Sequence, residues 1–169
     1  VKKYSTEAEE ALKTDLGKSN YESFMCETGL ALTEISYMLK NTKRLAKPKT
    51  IKTPLAQFKS HSYTQYVPYG NTLVMSPWNY PFLLTIDPLA DAIAAGNTCI
   101  VKPSAYSPAT SAVVKKIIEE CFASEYIAVV TGGRAENSQL LKQKFDFIFF
   151  TGSQAVGKEV LRNAAEHLT

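Results

Sequence analysis

Four short apolar runs, each followed by a segment with apolar side chains on one helical face, organise the second half of the chain. Strands are predicted at residues 72–76, 98–102, 127–133 and 145–150. Helices are predicted at residues 82–95, 108–121, 135–144 and 158–168. We expect Pro88 to bend the first helix, Gly96 to end it, and Ser107 to cap the start of the second.

This alternation of strand and helix predicts the fold class. Strands that are apolar almost without interruption are typical of a parallel sheet covered on both faces. Because crossovers between parallel strands are right-handed, the expected architecture is an α/β fold with a doubly wound parallel sheet. In such sheets, ligands bind beyond the carboxyl ends of the strands.

The N-terminal third predicts helices only. A helix is expected over residues 20–45, preceded by a shorter one over residues 6–16 that ends at Gly17. Steps of three and four residues along the longer helix predict one buried stripe. Its members are Met25, Thr28, Leu32, Ile35 and Leu39.

A linker and a β-ribbon are expected between these helices and the sheet. Residues 47–54 read as an extended linker, and the run that follows carries Phe58, Tyr63 and Tyr66 before a Pro-Tyr-Gly turn. We therefore expect three parts. They are a helical segment at residues 1–56, a β-ribbon at residues 57–70 and an incomplete sheet domain at residues 71–169.

Composition and charge exclude several classes of protein. The chain is 45% hydrophobic and 21% charged, which is typical of globular domains rather than disordered ones. Its net charge of +3 is dispersed along the chain, so nucleic acid is not an expected partner. No apolar run approaches the roughly 18 residues that a membrane span requires.

The cysteines and histidines predict neither a disulfide framework nor a metal centre. Cys26, Cys99 and Cys121 are odd in number, far apart and without CxxC spacing, so we expect structural thiols in a cytoplasmic protein. With only His61 and His167 besides, no metal site is expected.

The turn after the last strand, in FFTGSQAVGKEV, is a candidate phosphate site. Backbone amides at a helix start are unpaired and lie at the positive end of the helix dipole. Gly152 would allow close approach, Ser153 would add a hydroxyl, and Val156 would offer an apolar surface to a base. An ordinary turn that needs glycine for its backbone angles explains the same residues.

The same turn nearly matches a P-loop, with Gly152, Gly157 and Lys158 at the required spacing. The next residue is Glu159, where Mg²⁺ coordination needs Ser or Thr. A carboxylate would also repel the phosphates. A nucleotide triphosphatase is therefore the weaker hypothesis.

Three further residues follow the first two strands of the sheet. Lys102 either contacts a ribose or phosphate, or is a solvated lysine at a strand end. Asn79 either caps a local turn or donates its amide to a developing oxyanion. Trp78, the only tryptophan, is either a core residue or a wall of a cofactor site.

Five segments in this order resemble the aldehyde dehydrogenase superfamily, and its class-3-like branch for fatty or aliphatic aldehydes in particular. They are ESFMCETGLALTEISYMLKNTK, SPWNYPF, GNTCIVKPS, VVTGG and FDFIFFTGSQAVGK, and they extend over nearly the whole chain. The resemblance implies a Rossmann-like sheet, NAD or NADP as cofactor, and an aldehyde substrate. It also implies a homo-oligomer, such as a dimer, that assembles through the strand pair at residues 57–70.

The resemblance assigns roles position by position. Asn79 matches the amide of the oxyanion hole, Lys102 the contact to the adenosine ribose, and Ser153, with the amides around Gly152, the pyrophosphate contact. Val156 matches an aliphatic residue beside the adenine, and Gly133 lies in the adjoining loop. We add Trp78, Ser104 and Gly157 as candidate cofactor-binding residues.

Two departures from the family pattern carry hypotheses. Ala105 stands where family members commonly have a glutamate that binds a ribose hydroxyl, so we expect NADP to be tolerated beside NAD. The family's general-base glutamate and nucleophilic cysteine belong to positions after Thr169. The chain is therefore expected to bind nucleotide without turnover. The alternatives are a stand-alone nucleotide-binding module and a CoA-acylating or phosphorylated-substrate branch of the family.

Overall fold

The computed structural model describes residues 1–169 as helices, a small ribbon and one parallel sheet. The α-helices are α1 (Ser5–Leu16), α2 (Asn20–Ser23), α3 (Gly29–Leu45), α4 (Leu83–Ala94), α5 (Pro108–Cys121), α6 (Arg134–Leu140) and α7 (Gln154–Ala165). The strands are β1 (Lys49–Ile51), β2 (Ser62–Thr64), β3 (Asn71–Met75), β4 (Thr98–Lys102), β5 (Ile127–Val129) and β6 (Phe147–Phe150). None of the helices combines the length and the hydropathy that a bilayer-spanning segment requires.

The four strands predicted in the second half form one parallel sheet with the order β5-β4-β3-β6. In register, Leu73 of β3 lies between Ile100 of β4 and Ile148 of β6. The chain builds the sheet outward from β3 through β4 to β5, and then crosses to the other side of β3 for β6. The expected doubly wound topology is confirmed, with its switch point between β3 and β6.

Side chains of the sheet alternate between two apolar cores. Val74, Cys99 and Val101 face a core shared with α1, α3, α4 and α5. Leu73 and Met75 face the opposite core, which α6, α7 and the segment before β6 complete. Because successive strand residues point to opposite faces, one continuous apolar run serves both layers.

The buried stripe predicted for the long N-terminal helix is wrong at two positions, since Met25 is 49% exposed and Leu39 is 81% exposed. A π-helical turn at Phe24–Thr28 interrupts the α-helical path between α2 and α3. One extra residue in this turn changes the helical phase, so a pattern read at 3.6 residues per turn fails at Met25. Leu39 lies in regular α3 and is exposed because it borders an open apolar groove. The residues that are fully buried there are Glu27, Thr28 and Ala31.

The β-ribbon takes its first strand from the segment predicted as a linker. Lys49–Ile51 pairs antiparallel with Ser62–Thr64, and Thr50 lies opposite Tyr63. The residues between them form a 3₁₀ turn at Leu55–Gln57 and a loop in which Lys59 has φ 72°. The predicted linker was therefore wrong over β1, because a single strand of three residues gives no indication of its distant partner.

Helix α4 ends as expected, with Gly96 at φ 86° just beyond it and Pro88 inside it. The predicted cap of α5 is wrong, because the Ser107 side chain makes no capping hydrogen bond. Asp15 of α1 caps it instead. Its carboxylate accepts from the backbone N–H groups of Ala109 at 3.1 Å and Thr110 at 2.7 Å.

The structural role expected of the three cysteines holds for Cys99, which is buried in β4, but not for Cys121. Cys121 is exposed at the last residue of α5. It borders an open apolar groove of about 310 Å³ between α3, α4 and α5. Its helical face is apolar as predicted, but nothing covers the end of that face.

An acidic cluster on α3 and α4 carries a stability cost. Burial raises the pKa of Asp87 to about 6 from 3.8, with further contributions from the charges of Glu34 and Asp91. The buried Oδ1 of Asp87 has no hydrogen-bond partner. The folded protein therefore holds this proton more tightly than the unfolded chain. Protonation of Asp87 therefore favours the folded state, and this contribution to stability is lost as the pH rises from 3.8 to about 6.

We expect Asp87→Asn to raise the free energy of unfolding at about pH 7.5 by roughly 1–2 kcal/mol, and by little near pH 4. The reason is that asparagine cannot acquire the poorly solvated charge. Urea denaturation at several pH values measures the difference. Glu10→Gln, at an exposed carboxylate of α1, is the control and should show no such trend. A difference that stays constant with pH would contradict the assignment.

Candidate functional site

Four turns meet at the carboxyl edge of the sheet. The backbone N–H of Ser76, after β3, donates to the carbonyl of Lys102 at 3.2 Å. Thr151, after β6, donates to Met75 at 3.0 Å, and the turn after β5 is joined to β4 in the same way. The segments that the sequence singled out, SPWN, KPS, TGG and TGS, therefore lie side by side.

Each turn leads into a helix whose first amides point toward this edge, and three of these helices have a carboxylate at their start. Glu27 accepts from the first amides of α4, Asp15 from those of α5, and Glu136 from the backbone N–H of Gly133 before α6. At α7 the only intrachain cap is the Ser153 hydroxyl, 3.4 Å from the N–H of Val156. The start of α7 is thus the one that has no negative charge of its own.

Lys102 is buried at the end of β4, with 3% of its surface exposed. Its ammonium donates to the carbonyls of Pro103 at 2.9 Å and Gly132 at 2.7 Å. Burial lowers the pKa of Lys102, and the nearby charge of Glu136 opposes that shift. The interpretation as a solvated strand-end lysine is therefore wrong. Two of the three ammonium protons are held by the protein, which leaves one donor for a ligand.

Two glycines shape the loop after β5, and each has a different structural role. Gly132 has φ 128°, and a Cβ there would lie 2.5 Å from the side chain of Glu136. Gly133 has open space at the Cβ position, and its N–H donates to Glu136 at 2.6 Å. That hydrogen bond lowers the pKa of Glu136, after a larger contribution from the backbone N–H of Glu136 itself. Gly132 presents its carbonyl to Lys102, and Gly133 leaves an unobstructed surface beside it.

The last helix begins earlier than predicted, at Gln154 rather than Lys158, because Ser153 caps it. Gly157 therefore lies in the first turn of α7 and not in a loop. A Cβ on Gly152 would meet the ring of Phe150 at 2.5 Å, whereas one on Gly157 would meet it at 3.5 Å. Gly152 thus makes room for an aromatic ring below the turn, while its backbone remains exposed above.

The remaining candidates lie at the surface of the same edge. Trp78 is 54% exposed and Val156 is 39% exposed, so neither belongs to the core. Ser104 is partly buried, and its hydroxyl accepts from the N–H of Tyr106 at 3.2 Å. Asn79 is exposed, and its side-chain amide makes no hydrogen bond within the chain. The turn-capping interpretation of Asn79 is therefore wrong.

Sequence reasoning missed Lys18 and Glu27, which hold the turn after β3. Both are buried, and the Lys18 Nζ lies 2.5 Å from Glu27 Oε1. Glu27 was visible as a charge among apolar helix positions, but its partners are 9 and 55 residues away. Glu136 had a local signal, because a glutamate three residues after a helix N-cap is typical of a capping box.

Comparison with known proteins places this chain in a family. The aldehyde dehydrogenase family profile matches residues 1–169. The chain belongs to the aldehyde dehydrogenase family. It is 45% identical over 168 residues to the 4,4'-diaponeurosporen-aldehyde dehydrogenase of Staphylococcus aureus, covering 99% of this chain and 37% of that protein. It is 43% identical over 159 residues to aldehyde dehydrogenase family 3 member H1 of Arabidopsis thaliana, covering 94% and 33%. The class-3-like resemblance is confirmed.

Solved aldehyde dehydrogenases share the fold. A substrate-bound structure of Staphylococcus aureus AldH superposes with a TM-score of 0.97 at 45% identity, covering 99% of this chain and 37% of that one. The Mycobacterium tuberculosis aldehyde dehydrogenase complexed with NAD+ gives a TM-score of 0.83 at 25% identity, with coverages of 99% and 34%. The chain therefore spans about a third of the length of the aldehyde dehydrogenases it matches. A nicotinamide nucleotide is a cofactor of this family.

Gly152 and Gly157 provide a matched pair of substitutions at the turn. We expect Gly152→Ala to lower the free energy of unfolding by about 1–3 kcal/mol, because the new methyl group displaces the Phe150 ring. Gly157→Ala should raise it by up to about 1 kcal/mol, since alanine favours the helix and meets the ring at an ordinary distance. Urea denaturation of both variants distinguishes them. Equal effects of the two substitutions would show that Phe150 does not constrain the turn.

Proposed function

We propose that this chain is the NAD(P)-binding part of an aldehyde dehydrogenase that oxidises an aldehyde to a carboxylic acid. The observation that carries the proposal is the carboxyl edge of the sheet. There, the uncharged start of α7, the buried ammonium of Lys102 and the free amide of Asn79 lie on neighbouring turns. A cation and unpaired helix amides suit a pyrophosphate and its ribose.

The residues present fit a dinucleotide cofactor. Ser153 and the first amides of α7 would hold the pyrophosphate, and the remaining Lys102 proton would reach a ribose hydroxyl. The exposed side chain of Val156 and the open surface at Gly133 would accept the adenine, with Trp78, Ser104 and Gly157 at the margins. The bound nicotinamide would supply the hydride acceptor.

Asn79 would supply one donor of the oxyanion hole. Its amide is exposed and makes no hydrogen bond to the chain, so it is free to donate to an aldehyde oxygen that gains negative charge. A preorganised donor of this kind stabilises the transition state more than the substrate. We assign it no further role.

The nucleophile and the general base are proposed to lie outside these residues, as the resemblance implies. Burial raises the pKa of Cys99 to about 11, so this thiol stays protonated near neutral pH. Cys121 ends α5, which runs from the carboxyl edge to the amino edge of the sheet. These two cysteines are therefore poor candidates for the family's thiolate chemistry.

Two other functions are less well supported. A P-loop needs a free loop between its glycines, but residues 154–157 are already helical and Glu159 follows. A stand-alone nucleotide-binding module would have the same edge of the sheet. Its distinguishing feature would be nucleotide binding with no gain of activity in any longer form of the chain.

The exposed ribbon supports a proposal about assembly. Phe58, Tyr63 and Tyr66 are 76%, 59% and 76% exposed. Large aromatic side chains in a contiguous exposed segment are typical of interaction surfaces. We propose that the ribbon serves the dimer contact that the family resemblance implies for residues 57–70.

The decisive experiment separates binding from turnover. We expect the 169-residue chain to bind NAD in calorimetry, and Lys102→Met to weaken that binding by about tenfold or more. No aldehyde-dependent NADH should form if, as proposed, the nucleophile and the general base lie outside these residues. A longer chain with the downstream catalytic residues should produce NADH. Turnover by the 169-residue chain, or absence of NAD binding, would contradict the proposal.

Cofactor selectivity depends on Ala105, which is exposed and carries no acceptor for a ribose 2′-hydroxyl. We expect NAD and NADP to bind within about a hundredfold of each other. Ala105→Glu should favour NAD by a further tenfold or so, because its carboxylate accepts from the hydroxyl and repels a 2′-phosphate. Ala123→Glu adds the same charge near the amino edge and is the control. A stronger NAD preference in the unaltered chain would overturn this assignment.

A further inference from the structure

A buried ion pair lies directly behind the turn that carries Asn79. Lys18 follows α1 at 8% exposure, and Glu27 lies within the π-helical turn at 0% exposure. Their charged atoms are 2.5 Å apart. Removing two charges from water offsets much of their mutual attraction, so the pair by itself adds little to stability. The groups that the pair contacts therefore matter more than the attraction between its two charges.

The pair holds both ends of the turn. The Lys18 ammonium donates to the carbonyl of Asn79 at 2.9 Å and lies 4.1 Å from the centre of the Tyr80 ring. The second oxygen of Glu27 accepts from the backbone N–H groups of Phe82 at 2.8 Å and Leu83 at 3.2 Å. One ion pair thus connects the carbonyl of Asn79 to the start of α4.

No other backbone hydrogen bond holds the middle of this turn. Between Ser76, which is bonded to β4, and Tyr80, which begins the bonding of α4, the only backbone hydrogen bond is the one from Lys18 to Asn79. The Asn79 side chain makes none. The direction of its amide therefore depends on a backbone that a single ammonium anchors.

The π-helical turn is an independent sign of the same role. Such turns are rare, and they are frequently found at functional sites. The π-helical turn at Phe24–Thr28 contains Glu27, which directs its carboxylate to both Lys18 and the amides of α4.

We infer that the Lys18–Glu27 pair is a positioning device for the Asn79 amide, an inference that rests on the oxyanion-hole role under Proposed function. Lys18 and Glu27 touch neither substrate nor cofactor. They act by fixing the backbone from which the donor projects. A displacement of about 1 Å at such a donor is enough to lower kcat about a hundredfold.

Trp78 gives a direct readout of the turn, since it is the only tryptophan and adjoins Asn79. In the 169-residue chain we expect Lys18→Met combined with Glu27→Gln to increase the fast component of Trp78 fluorescence depolarisation. Circular dichroism and cooperative unfolding should be retained. Should this variant not fold, Glu27→Gln alone keeps the acceptor for α4, and it should produce the same change to a smaller extent.

The matched control is a different lysine–glutamate pair, which joins α1 to α5. Lys116 and Glu7 are 2.8 Å apart and partly exposed, and they are remote from the turn. Lys116→Met combined with Glu7→Gln should leave Trp78 depolarisation unchanged. If the two double variants change Trp78 equally, or if neither changes it, the positioning role is overturned.

Kinetics of the longer form proposed above, with the downstream catalytic residues, then test the consequence. The Lys18→Met/Glu27→Gln variant should lower kcat by about tenfold to a hundredfold with the KM for the cofactor unchanged. In an Asn79→Ala background it should cause no further loss, because both changes remove the same donor. Additive losses would indicate a merely structural pair and overturn the inference. If Asn79→Ala alone leaves kcat unchanged, the proposed oxyanion role fails and this inference fails with it. If Trp78 depolarisation is unchanged, the positioning inference fails, but the proposed oxyanion role of Asn79 is not affected.

Discussion

The starts of four helices converge on one edge of the sheet, and the unpaired amides at those starts govern the architecture around it. Each helix presents several N–H groups without internal partners and the positive end of its dipole. Placed together, they need negative charge or solvent. Glu27, Asp15 and Glu136 satisfy three of the helices, and only α7 is left without a carboxylate. The fold therefore creates one position where an anion from outside is most favourable.

Two of those three carboxylates come from the N-terminal helical layer, which joins that layer to the site. Asp15 lies in α1 and caps α5, while Glu27 lies in the π-helical turn and caps α4. The first 45 residues thus do more than cover an apolar face of the sheet. They supply the charges that neutralise two helix starts, and Lys18 adds the anchor for the turn between β3 and α4.

The sheet was predictable from sequence because each strand is marked by residues that are adjacent in the chain. Continuous apolar runs and the residues that end them predicted all four strands, their order along the chain and the edge at which the candidate site residues meet. Features that depend on distant partners were not predictable in this way. Ser107 looked like the cap of α5, but Asp15, 94 residues away from Ala109, does that work. Likewise, strand β1 is defined only by its pairing with β2, and the π-helical turn altered the phase of the predicted stripe.

The residues of the candidate site also fall into two groups, those with a local sequence signal and those that depend on distant partners. Lys102, Ser153 and Asn79 were recognisable because they follow strands in a parallel sheet and match family segments. The groups that hold them, namely Lys18, Glu27 and the carbonyl of Gly132, were not, because they come from other parts of the chain.

Gly152 shows why a glycine-rich turn is ambiguous from sequence. A Cβ at this position would collide with the Phe150 ring below the turn, so packing alone explains why the residue is glycine. That same packing holds the exposed backbone of the turn in place above the ring, beside the start of α7, which has a hydroxyl cap but no carboxylate. A phosphate needs amides that are already oriented, since their ordering would otherwise reduce the affinity. The structural and the binding interpretations of this glycine are therefore compatible, because the ring that requires a glycine also preorganises the amides.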